Sequence, residues 1–215
     1  MKKGKFVVFE GGDGCGKNTQ IDLLKPFLPS DTVYTREPGG TEIGEKIRSI
    51  LMAHTSIRMT PETEILLFYA ARAQFLKELV GPALEEGKTV ISSRFSPSTV
   101  AYQIYRKERL DLLPFLKQME DWVVEEKYRP DICLIFNLPA ELALERAKER
   151  RNHEVTRFDI EPLDSYERVE KGYIKSVKDL GYKNFIINAA PFPEVVHKEV
   201  LKVLEDVLSL KKPAY

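Results

Sequence analysis

Short, largely apolar runs alternate with longer amphipathic stretches along the 215-residue chain. Continuous apolar runs are typical of parallel strands that are buried on both faces, whereas apolar residues at helical spacing indicate amphipathic helices. Predicted strands occupy 5–10, 32–35, 89–93, 131–136 and 184–187, and predicted helices occupy 17–28, 41–53, 60–86, 98–106, 111–127, 140–151, 162–179 and 193–209. This alternation predicts a single α/β domain over 1–215, with a five-stranded parallel sheet covered by helices on both faces.

The first predicted strand ends in a glycine-rich loop that leads directly into the first helix. Gly11, Gly16 and Lys17 satisfy the pattern G-x-x-x-x-G-K, in which glycines let consecutive N–H groups converge on one anion. The N-terminus of the following helix and the charge of Lys17 favour phosphate at the same point. The candidate phosphate contacts are Gly11, Gly12, Gly14, Cys15, Gly16, Lys17, Asn18 and Thr19. The pattern predicts a P-loop NTPase-type three-layer sandwich, and a glycine-rich turn that binds nothing is the alternative.

Two features of this loop bear on its chemistry. Ser or Thr normally follows the lysine and binds magnesium through its hydroxyl, but this chain has Asn18 there. Lys17 is expected to face solvent, so that its replacement would remove a phosphate charge and little packing.

Polar residues also follow the second and third predicted strands. Glu37 and Pro38 lie in the loop after the second strand, and Arg94 follows the third directly. Because the carboxyl ends of parallel strands meet at one edge of a sheet, both segments are expected to face the glycine-rich loop. Arg94 is a candidate phosphate clamp there. For the loop around Glu37, a plain turn with two charges is the alternative.

The long helix predicted over 60–86 carries an aromatic residue and a guanidinium on one face, because Phe68 and Arg72 are four residues apart. Such a pair can stack on a base and hydrogen-bond to it. The alternative is a core phenylalanine and a surface arginine.

Charge and composition narrow the class of protein. Lys+Arg and Asp+Glu both number 33, so the net charge is zero, whereas a protein that binds a nucleic-acid polymer is more often basic. Two cysteines indicate neither a disulfide framework nor a zinc site. No apolar run approaches the roughly 18 residues of a membrane span, and the N-terminal run is too short for a signal peptide. We therefore expect a cytoplasmic protein with neither a membrane nor a nucleic-acid polymer as its partner.

The end of the helix predicted over 140–151 is strongly basic and includes Arg146, Arg150 and Arg151. A polar segment follows, so we expect a short lid over about 148–160 that closes over phosphates. A solvated helix end is the alternative.

Five stretches resemble the thymidylate kinase family, occur in the family's order and together span most of the chain. They are Phe9-Glu10-Gly11-Gly12-Asp13-Gly14-Cys15-Gly16-Lys17, Arg36-Glu37-Pro38-Gly39-Gly40-Thr41, Leu67-Phe68-Tyr69-Ala70-Ala71-Arg72, Ser98-Thr99-Val100-Ala101-Tyr102-Gln103 and Arg168-Val169-Glu170-Lys171-Gly172-Tyr173. The family transfers the γ-phosphoryl group of ATP to dTMP, uses Mg²⁺ and is usually homodimeric. The resemblance implies these properties for this chain.

The resemblance also implies roles for individual residues. Lys17 and the loop glycines would hold the ATP phosphates, and lid arginines among Arg146, Arg150, Arg151 and Arg157 would assist them. On the acceptor side, the family's pattern implies that Asp13 contacts the sugar and phosphate and that Arg94 contacts the phosphate. It implies that Phe68 stacks on thymine, that Arg72 bonds to the thymine O4, and that Thr99 and Gln103 read the edge of the base. It also implies that Tyr102 excludes a ribose 2′-OH. The Glu37–Pro38 bond would be cis.

The chain departs from the family at three places: Asn18, Ser93 in place of the aspartate before Arg94, and 104–106 in place of a glycine-rich stretch. We expect magnesium to be held mainly by the nucleotide phosphates, waters and the carboxylates of Asp13, Glu37 and Asp159. A kinase for another deoxynucleoside monophosphate, including one with a modified pyrimidine, is one alternative function. A nucleotide-binding protein of kinase fold with weakened catalysis is another, which Asn18 and Ser93 favour.

Overall fold

The computed structural model describes residues 3–53, 58–149, 162–208 and 210. The strands are β1 (Lys5–Glu10), β2 (Val33–Arg36), β3 (Thr89–Ser93), β4 (Ile132–Asn137) and β5 (Asn184–Asn188). The α-helices are α1 (Lys17–Leu24), α2 (Glu42–Met52), α3 (Pro61–Phe75), α4 (Gly81–Glu85), α5 (Ser96–Thr99), α6 (Leu113–Val123), α7 (Ala140–Glu149), α8 (Leu163–Asp179) and α9 (Pro193–Glu205). Each predicted strand is confirmed to within one residue at either end.

All strand pairs are parallel, and the strand order is β2-β3-β1-β4-β5. The central strand β1 pairs with β3 on one side and β4 on the other, so Val7 lies opposite both Ile91 and Ile132. The chain therefore leaves β1 at the point where the strand order reverses, which is where α/β sheets form their ligand crevices.

Successive residues of β1 point into two different cores. Phe6 and Val8 pack with apolar residues of α3, α6 and α8, while Val7 and Phe9 pack with those of α1 and α9. This alternation explains the continuous apolar sequence of the strand, because both faces are buried. The predicted sandwich of helices on both faces of a parallel sheet is confirmed.

The helices differ from the prediction near prolines. The stretch predicted as one helix over 60–86 contains a π-helical turn, Leu76–Val80, which ends two residues before Pro82, and the Gly81 N–H donates to the Leu76 carbonyl oxygen. A proline ring clashes with the carbonyl four residues earlier, and a π-turn opens the ladder at that point. Pro26 likewise ends α1 at Leu24, and a 3-10 turn follows. Another π-helical turn, Val100–Tyr105, continues α5.

Within the described ranges, we find no helix that is both long enough and apolar enough to cross a membrane.

Candidate active site

The loop between β1 and α1 needs glycine for its shape. Gly11 has a φ of 143°, and a Cβ there would lie 2.6 Å from the carbonyl oxygen of Phe136 and 2.7 Å from Cys15 Sγ. Gly14 and Gly16 also have left-handed backbone angles, with φ values of 86° and 87°. The backbone thus turns tightly at the carboxyl end of β1 and enters α1 directly, as the glycine pattern predicted.

Lys17 is buried, with 7% of its surface exposed, so the expectation that it faces solvent is wrong. Its ammonium donates to the carbonyl oxygens of Gly11 at 2.8 Å and Gly12 at 2.9 Å. Burial lowers the pKa of this ammonium, and the nearby Arg94 charge adds to the shift. The tight loop brings its carbonyl groups within reach of the side chain, which the sequence pattern does not reveal.

Arg94, Asp13 and Tyr102 meet beside the loop. Arg94 Nη2 donates to Asp13 Oδ1 at 2.6 Å, and the Tyr102 hydroxyl donates to Asp13 Oδ2 at 3.0 Å. Burial raises the pKa of Asp13, but the charges of Arg94 and Lys17 and the bond from Tyr102 outweigh it, so the pKa lies below its ordinary value. Asp13 is therefore an ionised anchor for the arginine and the tyrosine.

A second buried pair joins the loop after β2 to α3. Arg72 donates through Nε and Nη2 to Glu37 Oε2 at 2.9 and 2.7 Å, and through Nη2 to Thr99 Oγ1 at 3.0 Å. Only 1% of Arg72 is exposed, so the surface-arginine alternative is wrong. Burial raises the pKa of Glu37 to about 7, although the Arg72 charge opposes the shift. The Glu37–Pro38 bond is cis, which confirms that expectation.

A mainly apolar cavity of about 120 Å³ lies between these two pairs; its lining includes Pro38, Phe68, Arg94, Tyr102 and Gln103. We call it the acceptor cavity. Glu37 Oε1, Arg72 Nη1 and both amide atoms of Gln103 are buried and have no hydrogen-bond partner among the described residues. Buried polar groups are normally paired, so these atoms are suited to the polar edge of a ligand.

Asp13, Glu37 and Arg94 also line an adjoining polar cavity of about 180 Å³, which we call the transfer cavity. Lys17, Asn18, Arg36, Arg48 and Ser93 complete its polar lining. The sequence reasoning assigned no role to Arg36 or Arg48. Arg36 is the last residue of β2, and Arg48 lies on the next helix, α2, where its Nη1 donates to the Pro38 carbonyl oxygen at 3.1 Å. Placement at the end of a parallel strand was the available signal for Arg36.

A third cavity of about 500 Å³ lies on the other side of the loop, and we call it the donor cavity. Gly14, Gly16, Thr19 and Arg146 line it together with 189–193, which follows β5. Arg146 donates to the carbonyl oxygens of Ala189 at 3.0 Å and Ala190 at 2.9 Å. Because Gly14 and Gly16 line both cavities, the glycine-rich loop separates the donor cavity from the transfer cavity.

Ser93 and Asn18, the two residues that differ from the family's pattern at the expected metal site, are in contact. Ser93 Oγ donates to Asn18 Oδ1 at 3.3 Å, and both residues line the transfer cavity. Both oxygens of Asp13 are already engaged by Arg94 and Tyr102. No cluster of three or more His, Cys, Asp or Glu side chains suited to a metal occurs in the described part of the chain. Arg150, Arg151 and Asp159, with the predicted lid from 150 onwards, lie outside the described residues.

Two further polar residues of this region, Glu10 and Tyr173, received no role from sequence. The Glu10 side chain is fully buried, and the Tyr173 hydroxyl accepts a hydrogen bond from Arg94 Nη1 at 2.6 Å. Gly172 allows this contact, because a Cβ there would lie 2.9 Å from Tyr105 Cβ and push α8 away. An acidic residue at the end of an otherwise apolar strand was the one sequence signal for Glu10.

Comparison with known proteins finds similarity over nearly the whole chain. The sequence profile of the family described as "Thymidylate kinase" matches residues 9–200. The thymidylate kinase of Kosmotoga olearia is 37% identical over 96% of this chain and 97% of its own length. That of Pelotomaculum thermopropionicum is 40% identical over 96% and 95%. The crystal structure of thymidylate kinase from Ehrlichia chaffeensis superposes with a TM-score of 0.70 at 30% identity, covering 94% of this chain and 99% of that one.

Proposed function

This chain belongs to the thymidylate kinase family, and from that premise we propose that it transfers the γ-phosphoryl group of ATP to dTMP, giving dTDP and ADP. One observation carries the proposal: the transfer cavity adjoins the acceptor cavity at Arg94 and the donor cavity at the glycine-rich loop. A donor and an acceptor bound in the outer cavities would bring their phosphates together in the middle one.

ATP fits the donor side. The loop N–H groups and the N-terminus of α1 favour its phosphates, and Lys17 adds a positive charge next to them. The donor cavity of about 500 Å³ has room for the base and sugar. Arg146, which is held by the carbonyl groups after β5, lines this cavity and would contact the nucleotide.

A nucleoside monophosphate fits the acceptor side. Phe68 offers an aromatic face for stacking on the base, while Arg72, Thr99 and Gln103 would read its polar edge. Arg94 lines both the acceptor and transfer cavities and is thus placed for the acceptor phosphate. Glu37 lines both cavities, and Pro38 lines the acceptor cavity next to it.

The transfer step needs positioning and charge stabilisation rather than a general base. A phosphate monoester has its second pKa near 6, so the acceptor oxygen is largely deprotonated at neutral pH. Lys17 and Arg94, with Arg36 and Arg48, surround the cavity in which negative charge would be shared between the two phosphates. Ionised Asp13 holds Arg94 and Tyr102 in place and is not required to accept a proton.

Asn18 and Ser93 fit a hydrated magnesium ion through neutral oxygens, which are the ligand type that this cation accepts. Bound with the nucleotide, Mg²⁺ would neutralise charge on the β- and γ-phosphate oxygens. Asp13 and Asp159 remain candidate ligands, although Asp13 would have to release Arg94 or Tyr102 to bind the ion directly.

The double variant Asn18→Thr with Ser93→Asp carries the family's residues at both positions. It is expected to need about tenfold less magnesium for half-maximal rate and to turn over faster. The exchange supplies a hydroxyl ligand and a nearby negative charge. The measurement is a magnesium titration at saturating ATP and dTMP, and each single variant serves as a control because residues in contact are expected to couple. A wild type that already matches the double variant would contradict the argument.

Tyr102→Ala is expected to reduce discrimination between dTMP and its ribonucleotide counterpart by about tenfold, since the ring lines the acceptor cavity beside Asp13. The readout is the ratio of kcat/KM values for the two acceptors. Tyr102→Phe is the control, because it keeps the bulk of the ring and removes the hydroxyl that bonds to Asp13. Unchanged discrimination in Tyr102→Ala would assign the exclusion of the 2′-OH to another group.

The central test of the proposed function is an assay coupled to ADP release, run against a panel of deoxynucleoside monophosphates. Highest kcat/KM with dTMP supports the proposal. Preference for another monophosphate would favour a kinase for that deoxynucleotide. ATP binding without turnover of any acceptor would favour a nucleotide-binding protein with weakened catalysis.

We also infer that the protein acts as a homodimer in the cytoplasm, on free nucleotides rather than on a nucleic-acid polymer. Exposed apolar side chains on α2, Ile43 and Ile50, support a protein interface. Light scattering coupled to size-exclusion chromatography tests the dimer.

A further inference from the structure

Glu10, the last residue of β1, has a fully buried carboxylate with three donors around it. Its Oε1 accepts from the backbone N–H groups of Phe95 at 2.6 Å and Ser98 at 3.3 Å. Its Oε2 accepts from the Ser98 hydroxyl at 2.6 Å. All three donors belong to the turn that follows Arg94, so the carboxylate ties this turn to the end of β1.

The bonds continue from Ser98 to the guanidinium of Arg94. The Ser98 hydroxyl lies 3.2 Å from Arg94 Nη1 and 2.9 Å from the Tyr173 hydroxyl, which itself accepts from Arg94 Nη1 at 2.6 Å. Nη1 also donates to the Gly11 carbonyl oxygen at 3.2 Å, so this nitrogen is held by the glycine-rich loop and by two hydroxyl groups, of which the Ser98 hydroxyl bonds directly to Glu10. The other, Nη2, donates to Asp13.

The backbone conformation of Arg94 also depends on contacts with the neighbouring strands. Its φ is 73°, in the left-handed region that a side-chain-bearing residue rarely adopts, and such conformations persist only where the surroundings enforce them. The Arg94 N–H donates to the carbonyl oxygen of Phe9 at 2.9 Å, and the Ser92 hydroxyl donates to the carbonyl oxygen of Arg94 at 2.9 Å. Phe9 and Glu10 thus hold two successive residues, Arg94 and Phe95, onto the end of β1.

We propose that Glu10 is a positioning residue for the acceptor phosphate: it fixes the turn 94–98 and thereby aims the Arg94 guanidinium into the transfer cavity. The proposal rests on the proposed function, in which Arg94 meets the acceptor phosphate. Glu10 is fully buried and lines none of the three cavities described above, so its effect would reach the reaction through Ser98 and Arg94.

The test uses Glu10→Gln, which keeps the shape and removes the charge, and Ser98→Ala, which removes the hydroxyl link. Both are expected to raise the KM and the calorimetric Kd for dTMP by about tenfold while the KM for ATP changes less than about twofold. Ser176→Ala is the matched control, because Ser176 is also fully buried but its hydroxyl donates to the Tyr173 carbonyl oxygen at 2.7 Å. This control should leave both KM values unchanged.

A double-mutant cycle with Arg94→Lys separates positioning from general stability. If Glu10 acts through Arg94, then Glu10→Gln should add little to the loss already caused by Arg94→Lys. Fully additive effects, or a lowered melting temperature with normal KM and Kd for dTMP, would overturn the proposal. Should Glu10→Gln fail to fold, a folded Ser98→Ala with normal dTMP affinity would overturn it equally.

Failure of the proposed function has a different signature. In that case the wild-type protein itself would prefer another monophosphate in the panel. The same variants measured with that acceptor would still test Glu10, because Arg94 is placed for the phosphate and not for the base.

Discussion

Lys17→Ala is expected to lower turnover by more than about 10²-fold, the usual size of an electrostatic contribution to a transfer reaction. Lys17 lines the transfer cavity from the first turn of α1, next to the loop glycines. Its ammonium now bonds to the carbonyl oxygens of Gly11 and Gly12, so it is held at the point where the outer phosphates of ATP would lie. Phosphoryl transfer depends on such positioned charges, and no other lysine lines this cavity in the described part of the chain.

The variant is expected to remain folded. Burial lowers the pKa of Lys17, which means that the folded loop disfavours the ammonium relative to water, so removing the charge also removes a cost. Activity and a thermal melting curve are measured together, with Lys25→Ala as the control. Lys25 directly follows the other end of the same helix, and its ammonium pairs with Asp22 on the surface and lies 5.4 Å from the centre of the Tyr34 ring, far from the transfer cavity. Near-normal turnover of Lys17→Ala with an unchanged melting curve would contradict the phosphate-loop assignment.

The strands could be predicted from sequence because burial on both faces leaves a simple pattern. Apolar runs such as 132–136 are flanked by polar residues, and only a sheet covered on both sides buries such runs completely. The helix interruptions were harder to predict. A proline such as Pro82 indicates that a helix is disturbed, but whether it ends, kinks or widens into a π-turn depends on packing around it, here on Gly81 against Tyr128.

Much of the candidate site follows from one topological rule. Glu37 and Arg94 are 57 residues apart in the sequence, yet both follow parallel strands and therefore line the same cavity. The rule places residues at an edge but does not say which will pair. The contact between Arg72 and Glu37, the burial of Lys17 and the bonds from Glu10 to 95–98 depend on side-chain packing across the sheet edge.

Phe68→Ala is expected to weaken dTMP binding by about 5- to 150-fold, because aromatic stacking contributes about 1–3 kcal/mol per base. Phe68 is half-buried and lines the acceptor cavity, one helical turn before Arg72 on α3. Its ring would stack on a base whose polar edge faces Arg72, Thr99 and Gln103. ATP binding should be unchanged, since Phe68 lines no part of the donor cavity that the described residues form.

Calorimetric Kd values for dTMP and ATP measure this effect, and two further variants separate its causes. Phe68→Leu keeps apolar volume without an aromatic face, so it should lose most of the dTMP affinity, as the alanine variant does. Leu66 lies two residues away on the same helix, and 48% of its surface is exposed. The variant Leu66→Ala should therefore bind dTMP normally. If Phe68→Ala lowers only the melting temperature, or if Phe68→Leu binds dTMP as the wild type does, the ring is a packing residue and the base is held by the polar groups of the acceptor cavity alone.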